Sequence, residues 1–127
     1  MQILCHRGTW QHPDERNTLG YVRSGVPVFT RHSELEPEPA LYERSAGVWL
    51  DAFVRDWFDA EVVRDHLDAG KRVAIVSPEL HGRPHERLWR LLATSGLGDE
   101  PGVSLCTDLP AAALAWFHVE QAGVSAR

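Results

Sequence analysis

Two cysteines, one methionine and no long apolar run are the first things missing from this 127-residue sequence. Cys5 and Cys106 each lie inside an apolar stretch, and neither belongs to a CxxC or a paired Cys/His spacing. A structural zinc site therefore has no ligand set, and the pair reads as buried free thiols of a reducing compartment rather than a disulfide framework. The longest apolar stretch, residues 109–117, is interrupted by Pro110 and falls far short of the roughly 20 residues that span a bilayer. His6 and Arg7 arrive before a leader-peptide core has room to form. A cytoplasmic chain with no membrane span is the expectation. Basic charge is also scarce: 13 Lys and Arg stand against 18 Asp and Glu, a net charge of −5 that disfavours a general nucleic-acid binder. No Gly-rich phosphate cradle or dinucleotide fingerprint occurs, and Ser77 lacks the Gly-x-Ser-x-Gly setting of a serine hydrolase.

What is present is ordinary globular composition, 43% hydrophobic and 24% charged, on a length that suits a single domain over 1–127. Five short apolar runs each end in polar residues: 2–5, 26–30, 48–50, 72–76 and 103–106. Their β-branched content without alternation predicts strands covered on both faces. Between them the spacing predicts helices. Residues 59–69 place Val62, Val63 and Leu67 on one face, with Gly70 as the stop. Residues 84–94 open on a proline and space Leu88, Leu91 and Leu92 for a core. Residues 108–118 turn Leu114 and Phe117 inward, and shorter helices are expected at 17–23 and 40–44. Strand then helix, repeated about five times, predicts an α/β fold with a parallel sheet.

In such folds the functional side is the carboxyl end of the strands. Those ends carry His6 and Arg7; Arg31, His32 and Glu34; Asp51; Glu79 and His81; and Thr107 and Asp108. Strand ends meeting solvent also collect polar residues, so each side chain has a plainer reading. His6 suits anion chemistry or a satisfied buried histidine. Arg7 suits a phosphate or an ion pair with Asp108 or Glu79, and Asp108 suits a site or the cap of the last helix. Arg83, Arg87 and Arg90 either hold one small anion or line a solvated helix face, and Trp49 and Trp89 read as packing.

The order of these motifs resembles the glycerophosphodiester phosphodiesterase family, whose (β/α)-barrel it shares with phosphatidylinositol phospholipase C-like enzymes. Ile3-Leu-Cys-His-Arg-Gly-Thr-Trp10 with Glu15-Arg-Asn-Thr18 is similar to that family's first strand. Val28-Phe-Thr-Arg-His-Ser-Glu34, Gly47-Val-Trp-Leu-Asp51, Val76-Ser-Pro-Glu-Leu-His81 and Leu105-Cys-Thr-Asp-Leu-Pro110 are similar to the second half of the barrel. The resemblance implies His6, Arg7 and His81 as catalytic residues and Arg7, Arg31 and Asp108 as substrate-binding residues. It implies Glu15, Glu79 and Asp51 as ligands of a divalent metal, magnesium or calcium, acting on a small phosphate ester. A full barrel takes about 250 residues and eight strands. Here Asn17-Thr18 runs almost directly into the approach to the fifth strand, so strands two to four are missing, along with the paired acidic ligands and the second catalytic histidine. His12, His32 and His81 are the candidates to replace that histidine.

These readings carry firm expectations. The first strand should lie beside the last, with Cys5 near Cys106. His6, Arg7, Glu79 and Asp108 should share one cavity, with Asp51 and Glu34 at its rim. Two unpaired sheet edges and five tryptophans (Trp10, Trp49, Trp57, Trp89 and Trp116) favour a homo-oligomer that completes the partial barrel. Function divides between a phosphodiesterase and a non-catalytic anion-binding or structural module built on the same fold.

Overall fold

The computed structural model describes residues 1–5, 25 and 27–125, with side chains at positions other than 4, 5 and 119–125. Its strands are β1 (Gln2–Cys5), β2 (Phe29–His32), β3 (Gly47–Leu50), β4 (Arg72–Val76) and β5 (Val103–Thr107). They form one parallel sheet in the order β1-β5-β4-β3-β2. Among the described residues there are three α-helices, α1 (Ala60–Asp68), α2 (Glu86–Thr94) and α3 (Pro110–Ser125). Short 3-10 turns occupy Tyr42–Arg44, Pro78–His81 and Leu97–Asp99. The first strand does lie beside the last, with Leu4 opposite Cys106 and Cys5 opposite Thr107.

The register lines up side chains in rows across the sheet. Ile3, Leu105, Ile75, Leu50 and His32 form one row; Leu105, Ile75 and Leu50 are fully buried in the core. Val63 of α1, Trp89 and Leu92 of α2, and Ala113 and Phe117 of α3 belong to the same cluster. Because side chains alternate along a strand, the next row, Gln2, Ser104, Ala74, Trp49 and Arg31, faces the other way. His32 is thus the polar end of a row that is otherwise hydrocarbon.

Local chemistry sets most element ends. Asp59 caps α1 by accepting from the Glu61 and Val62 amides, and Gly70, at φ +80°, takes the left-handed turn after its end. Strand β2 lies three residues later than the expected start at 26. Pro27 has no amide to give a ladder, and pairing begins with the Ala46 amide on the Val28 carbonyl at 2.8 Å. Helix α2 starts at Glu86 rather than Pro84, since its first turn closes from the Trp89 amide to the His85 carbonyl. The preceding Arg83 is held outside the helix, its amide on the Pro78 carbonyl and its guanidinium on the Phe53 carbonyl at 2.8 Å. Residues 40–44 make only the 3-10 turn, and the helix expected at 17–23 lies outside the described residues. Phe117 is buried as expected, but Leu114 is 59% exposed, and Ala113, one turn before Phe117, takes the inward place instead.

Gly47 opens β3 where there is no room for a side chain. A Cβ there would lie 2.6 Å from the Arg72 carbonyl oxygen and 2.6 Å from the Phe29 ring. Gly47→Ala should lower the unfolding free energy by about 1–3 kcal/mol, read as a reduced urea midpoint; an unchanged midpoint would show that β2, β3 and β4 are not packed this closely.

Candidate functional site

The carboxyl ends of β3 and β4 converge on one acid–histidine pair. Asp51 follows β3 directly, its amide donating to the His32 carbonyl at 2.9 Å, and it is only 5% exposed. Its Oδ1 accepts from the Ala52 amide at 2.9 Å and pairs with His81 Nε2 at 2.8 Å. Its carbonyl accepts from the Trp57 indole at 2.7 Å. His81 is delivered by the 3-10 turn after β4, which ends at Gly82 with φ +75°, and the Phe53 ring packs 5.0 Å from the imidazole. With its Nε2 proton on the carboxylate, the imidazole is fixed in one tautomer and keeps the Nδ1 lone pair. Asp51 is therefore buried beneath His81 rather than standing at a rim.

The ends of β4 and β5 are joined by a second carboxylate. Thr107, fully buried, donates from Oγ1 to Glu79 Oε1 at 2.7 Å and accepts the Leu109 amide at 2.9 Å, so one hydroxyl ties Glu79 to the start of α3. Glu79 Oε2 is buried with no hydrogen-bond partner among the described residues, and an unmade hydrogen bond on a buried acceptor is costly. Asp108 is exposed at the end of β5.

The remaining candidates have other work. Arg31 places both arms of its fork on Glu36 and lies over the Phe53 ring, 5.3 Å from its centroid. Glu34 accepts the Phe53 amide at 2.7 Å and holds the segment that follows Asp51. Ser77 is fully buried and accepts the Trp89 indole at 2.9 Å, a packing role. His6, Arg7, His12 and Glu15 lie outside the described residues. Among the described residues no three His, Cys, Asp or Glu side chains gather as a metal-ligand set. Among the described residues, a cavity of about 20 Å³ lined by Ala52, Phe58, Val76, Leu88 and Leu91, with Asp56 and Arg87 also in its wall, is room for little more than a water.

One cluster was not legible from the motifs. Tyr42 Oη lies 2.8 Å from His66 Nδ1, and His66 Nε2 lies 2.9 Å from His32 Nδ1. The helical spacing of α1 puts His66 three residues after the buried Val63, and His66 is itself 8% exposed. The signal was that spacing, hidden by the residue's polarity. Burial lowers the His66 pKa from its ordinary value, the neighbouring His32 lowers it further, and Asp65 opposes both. Burial also lowers that of His32, opposed by a hydrogen bond to the Pro37 backbone. Burial raises the Tyr42 hydroxyl, with Asp65 adding to it.

No protein-family model, curated protein or solved structure matches the chain.

The two lowered histidines set a pH dependence. Below the unfolded value of about 6.5, the unfolded chain takes up protons that the folded chain refuses, so stability complete at higher pH declines as pH falls toward the folded values. The urea midpoint should fall from pH 7 to pH 5, and by less in His66→Gln, which removes one of the two refusals. An equal fall in both proteins would contradict the assignment.

Proposed function

We propose that the chain is a phosphodiester hydrolase of the glycerophosphodiester phosphodiesterase type, with its active end at the carboxyl edge of the sheet. The observation that carries this reading is the Asp51–His81 pair: a buried carboxylate holding an imidazole by Nε2 and leaving Nδ1 as the basic atom. In that arrangement His81 takes a proton from an attacking water or returns one to the leaving oxygen, while Asp51 stabilises the imidazolium formed in between. His6 and Arg7 follow Cys5, which is in register with Thr107. On this reading His6 is the partner acid–base and Arg7 presents a planar fork to the phosphate. Asp108 serves a substrate hydroxyl, and Arg31 would have to leave Glu36 to reach the ligand.

A divalent magnesium or calcium ion would neutralise phosphoryl charge. Of its expected ligands, Asp51 is engaged by His81 and Ala52, Glu79 has one oxygen on Thr107 and the other buried, and Glu15 lies outside the described residues. The described donors do not make a metal site by themselves. A homo-oligomer belongs to the same reading, because β1 and β2 are the sheet's outer strands and exposed edges favour pairing between copies.

The second reading, a non-catalytic anion-binding or structural module, is favoured by one observation: Arg31, Glu34 and Asp51 are already satisfied within the chain. Hydrolysis of bis(p-nitrophenyl) phosphate with magnesium or calcium separates the two. The hydrolase reading predicts turnover that falls by roughly 10²–10⁴-fold in His81→Ala, with stoichiometric metal binding by calorimetry. Phosphate binding without turnover, or full activity in His81→Ala, would overturn it. A monomeric mass by light scattering at micromolar concentration would remove the oligomer.

A further inference from the structure

We propose that His32, His66 and Tyr42 form an acid-opened latch that fastens the 33–46 crossover to α1 and, through Trp57, seats Asp51. The latch stands on its own geometry; its consequence for catalysis rests on the hydrolase reading above.

One proton order satisfies the neutral cluster: the Tyr42 hydroxyl donates to His66 Nδ1, and His66 Nε2–H donates to His32 Nδ1. A first added proton then places a cation at the buried His66 and turns Tyr42 from donor to acceptor. A second has nowhere to go, since two imidazolium N–H groups would then point at each other across 2.9 Å. The charged neighbours do not relieve this. Asp65 on α1 favours a proton, but Lys71 lies 5.0 Å over the Tyr42 ring and opposes one. Glu43 and Arg44, beside Tyr42, are exposed, and from the 51–58 segment the uncharged edge of Trp57 meets the His32 ring at 4.8 Å while the Asp51 amide binds the His32 carbonyl.

The crossover needs holding. Leu41 sits at φ 53°, ψ 33°, a left-handed conformation that a branched apolar residue adopts only when its surroundings impose it. Besides the latch, the segment is held by the Arg31 fork on Glu36, Glu34 on the Phe53 amide at 2.7 Å, Thr30 Oγ1 on the Ala40 carbonyl at 2.5 Å and Lys71 on the Ser45 carbonyl at 2.8 Å, and Ala46 already belongs to the ladder. Backbone outside the ladder, tied by side-chain contacts at its surface, is where local opening begins.

The active end is coupled through two supports. Trp57 lies against His32 and donates to the Asp51 carbonyl, and Glu34, within the crossover, holds the Phe53 amide. Releasing the crossover withdraws the Glu34 carboxylate from the Phe53 amide and frees the His32 ring against which Trp57 packs.

Hydrogen exchange of the full chain at pH 7.5 and 5.5, corrected for intrinsic rates, tests the latch. Residues 33–46 and 51–57 should lose about tenfold in protection relative to β4 and β5, and His66→Gln should abolish most of that difference. A uniform loss across the sheet, no loss in 33–46, or a full loss retained in His66→Gln would overturn the proposal. Should His66→Gln fail to fold, ring titration of the wild-type histidines by NMR decides it: the 33–46 amides must shift with the His32 and His66 midpoint, and an unrelated midpoint refutes the latch. Activity is not a readout here, so local opening without hydrolysis leaves the latch standing and removes only the hydrolase reading.

Discussion

The buried row of Leu50, Ile75 and Leu105 is the constraint on which the other features depend. Each is fully excluded from water, and each is paired to the next in parallel register. Burying such side chains is worth about 1.5–3 kcal/mol apiece, and sliding one strand by a single residue would turn its apolar positions to the wrong face. The same register that keeps this row intact brings Asp51, Ser77 and Thr107 to one edge of the sheet. The amide of Asp51 on the His32 carbonyl and that of Ser77 on the Cys106 carbonyl continue the ladder just past the strands. Apolar burial thus aligns the polar ends.

Asp51 is the junction between packing and chemistry. Burying a carboxylate costs free energy that hydrogen bonds must offset, and here Oδ1 takes both an amide and an imidazole while the backbone carbonyl holds Trp57. Glu79 makes the contrasting case at the next strand end, with one oxygen on Thr107 and the other buried without a partner among the described residues. One carboxylate is committed to orienting a histidine, the other to tying β5 to the segment after β4.

Strong local signals carried much of this fold in the sequence. The runs at 2–5 and 72–76 became β1 and β4 at those limits, and Gly70 follows the end of α1 as its stop chemistry requires, whereas Asp59, expected as the first helical residue, caps it instead. Composition at single positions misled where tertiary packing decided. Leu114 is more apolar than Ala113, yet the close approach of α3 to its neighbours buries the smaller residue. The Asp51–His81 pair joins residues 30 apart in sequence, and no spacing rule links them until β3 and β4 are placed side by side. His66 escaped notice because a polar residue on an inward helix face looks like a break in the pattern until Tyr42 and His32 are seen to complete it.

Titrating isotope-labelled protein with inorganic phosphate while following backbone amide resonances tests most directly the proposed anion-receiving edge at the strand carboxyl ends around Asp51 and His81. The account predicts saturable shifts at Asp51, Ala52, 79–82 and 107–109, with little change at the opposite strand ends around Gly47, Arg72 and Val103. Shifts confined to those opposite ends, or none at the carboxyl edge at millimolar phosphate, would contradict it.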